Sequence, residues 1–237
     1  MKLYHFCILV TLLGACTPIY YVPNAPTVPL ITEKGEGDLS VSVAREGAHF
    51  QTSYGFTNSI AAFTNIQIGP SREWNGNRQI STDQYEMGLG VFSGKRRFTV
   101  WELYAMGGLG RIQNELPKRN GLFGPQSMGG ALDANFWRYG FQLNYGLKRD
   151  NVEFAVSNRF FLKTYYNISG DLMFENVPQV DFLRINNRHF YWEPAFTFKY
   201  GWRNFKIFIH TIVSGNITDP DFYRLGSNGM IGVSYQW

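Results

Sequence analysis

The stretch WRYGFQLNYGLK, residues 137–148, alternates without a break. Trp137, Tyr139, Phe141, Leu143, Tyr145 and Leu147 share one face, and Arg138, Gly140, Gln142, Asn144, Gly146 and Lys148 share the other. A β-strand sends successive side chains to opposite faces, so a period of two marks a strand with one apolar and one polar side. A slip of one residue would exchange those sides, so the register is specified.

The same signal recurs on either side of this stretch. Tyr85, Met87, Leu89 and Val91 oppose Gln84, Glu86, Gly88 and Gly90. Val152, Phe154, Val156, Phe160 and Leu162 oppose Glu153, Ser157, Arg159 and Lys163, with Asn158 as the exception. Phe190, Trp192, Phe196, Phe198 and Tyr200 oppose Glu193, Thr197, Lys199 and Gly201. In all, ten strands are predicted, over about 38–45, 49–56, 60–69, 83–92, 97–110, 132–148, 151–164, 189–201, 204–214 and 228–237.

Alternation does not say which face points inward. A soluble lipocalin-like barrel buries its apolar face, whereas a membrane barrel turns it out to lipid. Three features select the membrane barrel. Trp101, Trp137, Trp192 and Trp237 lie at the ends of apolar faces, where interfacial girdles form. Several strands exceed the ~9–11 residues a tilted spanning strand needs. The polar faces are rich in Gly, Gln, Asn and Ser, and their charges balance in sign, as a narrow lumen requires because unpaired buried charge is costly.

That reasoning predicts a lumen ion-pair network of Glu86, Glu102, Glu153 and Glu193 with Arg138, Arg159, Lys163, Lys199 and Lys206. The fold class is therefore all-β, an antiparallel up-and-down transmembrane barrel of about ten strands. A lumen of that size is filled by side chains and is well short of an open porin.

Connections alternate short and long, the pattern of tight periplasmic turns and longer external loops. The external loops are expected at Ser71–Thr82 (with the turn signal Trp74-Asn75-Gly76-Asn77), at Arg111–Ala131 (basic at Arg111, Lys118 and Arg119) and at Tyr165–Arg188. Basic groups there are candidates for pairing with lipopolysaccharide phosphates. The last strand, with Ile231, Val233, Tyr235 and a terminal Trp237, resembles the C-terminal assembly signal of outer-membrane barrels.

Upstream of the barrel, MKLYHFCILVTLLGA (1–15) joins a basic start to an apolar core too short to span a bilayer, and LGAC places Cys16 as in a bacterial lipobox. Residues 1–15 thus read as a lipoprotein signal peptide and Cys16 as the lipid attachment site. Residues 16–37 follow as a tether with Pro18, Pro23, Pro26 and Pro29, extended and polyproline-like, before the barrel domain at 38–237. With Cys7 in the signal, no thiol pair remains for a disulfide.

The residues Cys16, Tyr21–Asn24 (Tyr-Val-Pro-Asn) and Glu33–Glu36 (Glu-Lys-Gly-Glu) resemble the N-terminal segment of a Bacteroidota family of outer-membrane β-barrel lipoproteins. The resemblance implies acylation and a barrel in the outer membrane, and implies no catalytic residues.

Composition narrows the function classes. Hydrophobic residues make up 44%, aromatic 17% and charged only 17%, which excludes intrinsic disorder. Mean hydropathy is −0.21 and no run of ~18 apolar residues occurs, which excludes a helical membrane protein. A dispersed net charge of +4 points away from nucleic acid. His5, His49, His189 and His210 are scattered, giving no metal-ligand spacing, and no cofactor motif appears. Met106-Gly107-Gly108-Leu109-Gly110 falls within a strand pattern, so its glycines are read as making room in the lumen or permitting curvature, not as a phosphate loop.

Two further readings compete. The first is a soluble lipocalin-like lipoprotein that binds an apolar ligand. The second is a lipid-modifying hydrolase using His210 and Ser214 with Asp219 or Asp221, although four residues along a strand is roughly 13 Å, too far for direct bonding. A rim protease from His189 with Asp171 or Asp181 belongs to the same class. The favoured expectation is a non-enzymatic envelope lipoprotein, in contact with outer-membrane lipid and anchored there at Cys16.

Overall fold

The structure, a computed structural model, describes residues 17–69, 72–73, 79–96, 98–120 and 127–237. Ten antiparallel strands close into a barrel: β1 (Gly37–Ala44), β2 (Gly47–Gly55), β3 (Ile60–Ile68), β4 (Gln79–Arg96), β5 (Thr99–Asn120), β6 (Ser127–Lys148), β7 (Val152–Gly170), β8 (Arg188–Gly201), β9 (Phe205–Val213) and β10 (Ser227–Gln236). Each strand pairs with its neighbours in sequence. The ring is sealed where β1 meets β10, with Asp38 opposite Gln236 and Ala44 opposite Met230. Closure leaves no sheet edge, which hydrocarbon would not tolerate.

Side-chain direction settles which face meets lipid. Phe141 is 47% and Phe154 43% exposed, while Arg138, Glu153 and Lys199 are buried. The lipocalin-like alternative, which needs the reverse, is thereby ruled out. All four tryptophans expected in girdles, Trp101, Trp137, Trp192 and Trp237, face outward.

The apolar belt has a sharp upper boundary. Tyr85, Leu109 and Trp137 lie side by side on its last outward row. On the next row up stand Asp83, Arg111 and Asn135. Downward from Trp137 the belt runs to Leu147, about 33 Å along the strand and about 25 Å in height once tilted, the height of a bilayer's apolar band. Above the boundary the polarity of the wall inverts. Ile112, Leu116, Leu132, Ala134 and Phe136 are buried inside, while Arg111, Gln113 and Glu115 face out.

This upper collar corrects the expected loop at Arg111–Ala131, most of which is the β5–β6 hairpin. The side chains of Lys118 and Arg119 lie outside the described residues, as does the turn signal at 74–77. The expected loop at Tyr165–Arg188 is likewise ordered: β7 continues to Gly170, and helix α1 (Gln179–Ile185) follows. Leu183 of α1 is buried with Tyr20, Tyr165 and Phe222 in an apolar cluster across the barrel mouth.

Glycines make the lumen fit its contents. Gly88 pairs with Phe63, Gly90 with Tyr104, Gly110 with Phe136, Gly140 with Phe161 and Gly232 with Phe208. A Cβ at each of these glycines would lie 2.3–2.7 Å from the partner's side chain. Phe63, Tyr104, Phe136 and Phe208 thus bring ring atoms against a glycine of the adjacent strand.

Two outcomes follow. Leu143→Arg, in the middle of the belt, should cost about 2–4 kcal/mol in urea unfolding from lipid vesicles, and an unchanged midpoint would mean that this face does not meet hydrocarbon. Gly88→Val should lower the temperature at which the folded band converts on a denaturing gel, by about 1–3 kcal/mol of overpacking, and adding Phe63→Ala should restore part of the loss.

Candidate functional site

The Pro-rich stretch expected as a tether lies inside the barrel. Every residue from Tyr20 to Ile31 is buried. At the long-loop end, the Tyr20 amide donates to Tyr223 O (2.9 Å) and the Leu225 amide to Tyr21 O (2.8 Å). The Tyr20 hydroxyl reaches Gln179 Oε1 of α1 at 2.7 Å. At the short-turn end, the Ile31 amide donates to Glu102 Oε1 (2.7 Å), Lys148 pairs with Glu36, and the Gly35 amide donates to Gly55 O (2.8 Å). Eleven extended steps from Tyr20 to Ile31 cover about 34 Å in polyproline geometry, so the segment traverses the whole membrane-embedded lumen.

An extended segment makes no hydrogen bonds within itself, so each buried carbonyl needs a donor from the wall. The wall supplies them. Val22 O accepts from Gln84 (3.2 Å) and Pro23 O from Asn228 (3.1 Å). Ala25 O accepts from Asn65 (2.5 Å) and Gln51 (3.1 Å). Thr27 O accepts from Gln142 (2.6 Å) and Asn144 (3.1 Å), and Leu30 O from Lys148 Nζ (3.0 Å). The prolines contribute by omission, since Pro23, Pro26 and Pro29 bring no N–H that would need an acceptor. A Gln- and Asn-rich lumen and a Pro-rich plug are thus one arrangement.

Asn24 sits at the centre of the charge network. Its Oδ1 accepts from Arg138 Nη2 (2.7 Å) and Arg159 Nη1 (2.8 Å), and its carbonyl accepts from Arg159 Nη2 (2.7 Å). Arg138 pairs with Glu86. Arg159 lies 3.5 Å from Glu86 and 2.5 Å from Glu193, and the Tyr21 hydroxyl also donates to Glu193. Nearer the short turns, Lys206 bonds Glu153 (2.6 Å), and Lys199 bonds Asp38 (2.9 Å) with Glu153 at 3.8 Å.

Of the nine lumen residues singled out from sequence, seven therefore sit in buried ion pairs and two do not. Glu102 is held by the Ile31 amide and by Asn144 Nδ2 (2.8 Å) instead of by a cation. Lys163 Nζ has no hydrogen-bond partner among the described residues. It rests over the rings of Phe136 (3.5 Å), Tyr21 (4.5 Å) and Tyr165 (4.8 Å), a cation–π box with one wall contributed by the plug. Asp38, Tyr21 and Asn24 were not anticipated. The signal for the last two is that residues 17–31 carry no charge at all, a composition suited to burial and not to a solvated linker.

The plug leaves little free space. Beside Ala25, Asp38 and His210 the remaining void is about 10 Å³, at the lower limit for one water molecule. A vestibule of about 1280 Å³ opens below, among the short turns, with Glu36, Lys148, Lys206 and Trp237 in its lining.

The hydrolytic arrangements do not assemble. His210 Nδ1 lies 2.7 Å from the Thr197 hydroxyl, and Ser214 Oγ has no partner among the described residues. His189 contacts Asn186 O (2.8 Å) and Asn216 Nδ2 (3.0 Å), while Asp171 accepts from the Ala131 amide and Asp181 pairs with Arg184. His49 is buried in the lumen, and neither ring nitrogen has a partner among the described residues. Cys16 lies outside the described residues. Among the described residues no group of His, Cys, Asp and Glu is arranged to hold a metal.

On the outer collar Arg111 clamps Asp133 through Nε (2.9 and 2.8 Å) and Nη2. Those hydrogen bonds hold the Asp133 carboxyl below the usual carboxylate range. The same pair occupies the Arg111 charge that the sequence offered to phosphate.

No protein-family model matches the chain, and no curated protein matches its sequence. Among solved structures it is similar to the translocator domain of the autotransporter NalP from Neisseria meningitidis (9% identity, covering 84% of this chain and 86% of that one, TM-score 0.44). It is also similar to the KdgM porin (10% identity, 84% and 98% covered, TM-score 0.34) and to LpxR from Salmonella typhimurium (10% identity, 86% and 99% covered, TM-score 0.34). These neighbours are outer-membrane β-barrels. At such identities and scores they carry nothing about activity, and the barrel assignment rests on this chain's own closed strand ladder.

Asn24→Leu should destabilise the barrel by about 3 kcal/mol or more, because two buried guanidinium groups lose their shared acceptor. Asn24→Asp, which keeps the acceptor oxygens but adds a charge to a balanced network, should fall between wild type and Asn24→Leu. Urea midpoints in detergent measure both, and equal midpoints for Leu and Asp would contradict the role assigned to this side chain.

Proposed function

We propose that the chain is an acylated lipoprotein of the bacterial outer membrane, a sealed β-barrel that serves as an envelope or surface component and not as a porin. The observation that carries this reading is the lumen occupied by the chain's own residues Tyr20–Ile31, all buried, with the carbonyls of Val22, Pro23, Asn24, Ala25, Thr27 and Leu30 held by wall side chains. A passage filled in this way has no room for solute. Activity then belongs to the membrane-facing belt and to the two mouths of the barrel.

The lipid anchor at Cys16 is supported by the lipobox order of residues 13–16. The barrel gives it a setting, since the lipid-facing belt already fixes the protein in a bilayer. Contact with lipopolysaccharide phosphates at the rim draws support from Lys118 and Arg119 in the sequence, because Arg111 is engaged by Asp133. No catalytic role is assigned: His210 is bonded to Thr197 and not to Ser214.

In planar bilayers the wild-type protein should give no steady conductance steps. A chain lacking Pro18–Ile31, once its gel mobility shows that it folds, should open ion-conducting channels lined by the unpaired wall charges. Conductance by the wild type at rest would sink the sealed-barrel reading.

A further inference from the structure

The direction in which the plug crosses the lumen assigns a side of the membrane to the N-terminus. At the end of the barrel where the short turns lie, residues 56–59, 149–151 and 202–204 connect strands, and β1 begins next to the C-terminal Trp237. The plug leaves the lumen at this same end. Lys34 is held there by Asn58 (3.3 Å) and Gly35 by Gly55. Residues 19–21 lie at the opposite end, with Ile19 bonded to Asn114 of the collar and Tyr20 pinned to Tyr223 and Gln179. The collar with polar residues outside, helix α1 and the long loop 214–226 all belong to that end. Short turns face the periplasm and long loops the exterior in outer-membrane barrels.

We propose that the N-terminus of the mature chain emerges on the cell surface, and that the acyl chains on Cys16 insert into the outer leaflet, beside the upper part of the barrel's own belt. This rests on the lipoprotein reading for the acyl chains, and on the structure for their side. Reach decides between the leaflets. From Tyr20, fixed at the upper mouth, back to Cys16 is four Cα steps, at most about 14 Å when fully extended. The inner leaflet interface lies a further apolar band of about 25 Å below, and the intervening lumen is filled. Acyl chains cannot remain in water, since each buried CH₂ contributes about 0.8 kcal/mol. The outer leaflet is the one hydrocarbon phase within reach. Thr17, the first described residue, is half-buried.

Two measurements test the proposal separately. Wild-type cells fed radiolabelled palmitate report acylation. A chain with an ordinary cleavable secretory leader, Cys16→Ser and Thr17→Cys reports the side, through a membrane-impermeant maleimide applied to intact cells. Arg203→Cys in the same background marks the short-turn side. The expected result is palmitate on the wild type, with Cys-variant labelling at position 17 equal before and after permeabilisation and labelling at position 203 only after it. Palmitate on the wild type with position 17 labelled only after permeabilisation overturns the outward N-terminus. Absence of palmitate with position 17 labelled from outside overturns the acyl anchor and leaves the threading intact. Should the double substitution fail to give the folded gel band, an epitope inserted between Cys16 and Thr17 and probed with antibody on intact cells gives the same two outcomes.

Discussion

A carbonyl oxygen sealed away from water must find a donor, and that requirement organises the interior of this molecule. The N-terminal segment crosses the lumen without any secondary structure to satisfy its own backbone. Asparagine, glutamine, arginine and lysine side chains from six strands of the wall and the prolines of the segment answer that requirement from opposite sides. The first group adds donors and the second removes the need for acceptors. Charge obeys the same rule. Glu86 and Glu193 balance Arg138 and Arg159 around Asn24, and Asp38 and Glu153 balance Lys199 and Lys206. In a medium of low dielectric, partial satisfaction would be worse than an apolar core, so plug and wall are matched group by group.

The wall was legible in the sequence because period two and aromatic placement are local signals. All ten strands appear at their expected places, with β5, β6 and β7 running further toward the long-loop end than expected, and residues such as Phe141 and Arg138 face as the alternation implies. The outer collar was less legible for a physical reason. Above the row of Asp83 and Arg111 the surroundings change from lipid to water, and the apolar residues of β5, Ile112 and Leu116, turn inward while Arg111 and Glu115 turn out. A single polarity rule applied along the strand loses phase there and reads strand as loop.

The plug was hidden for a different reason. An extended, proline-punctuated segment has no amphipathic period, because it is surrounded on all sides. What marks it is composition: Thr17–Ile31 carries Tyr20, Tyr21, Val22, Val28, Leu30 and Ile31 and not one charge. The same blindness explains Lys163 and Glu102. Their inward direction could be read from alternation, but Lys163 meets the aromatic ring of Tyr21 and Glu102 meets the Ile31 amide, and both partners belong to a segment that the strand pattern does not contain.

A chain threaded through its own closed cylinder also constrains the order in which that cylinder is made. The bulk of Tyr20 and Phe222 at one mouth and the lock of Lys148 on Glu36 at the other oppose the drawing of a loose end through the finished cylinder. The sheet is better made by curling around a length of backbone already in position. The reverse holds as well: the segment cannot slip out while the wall holds its carbonyls, so the closed cylinder sets how long it stays in place.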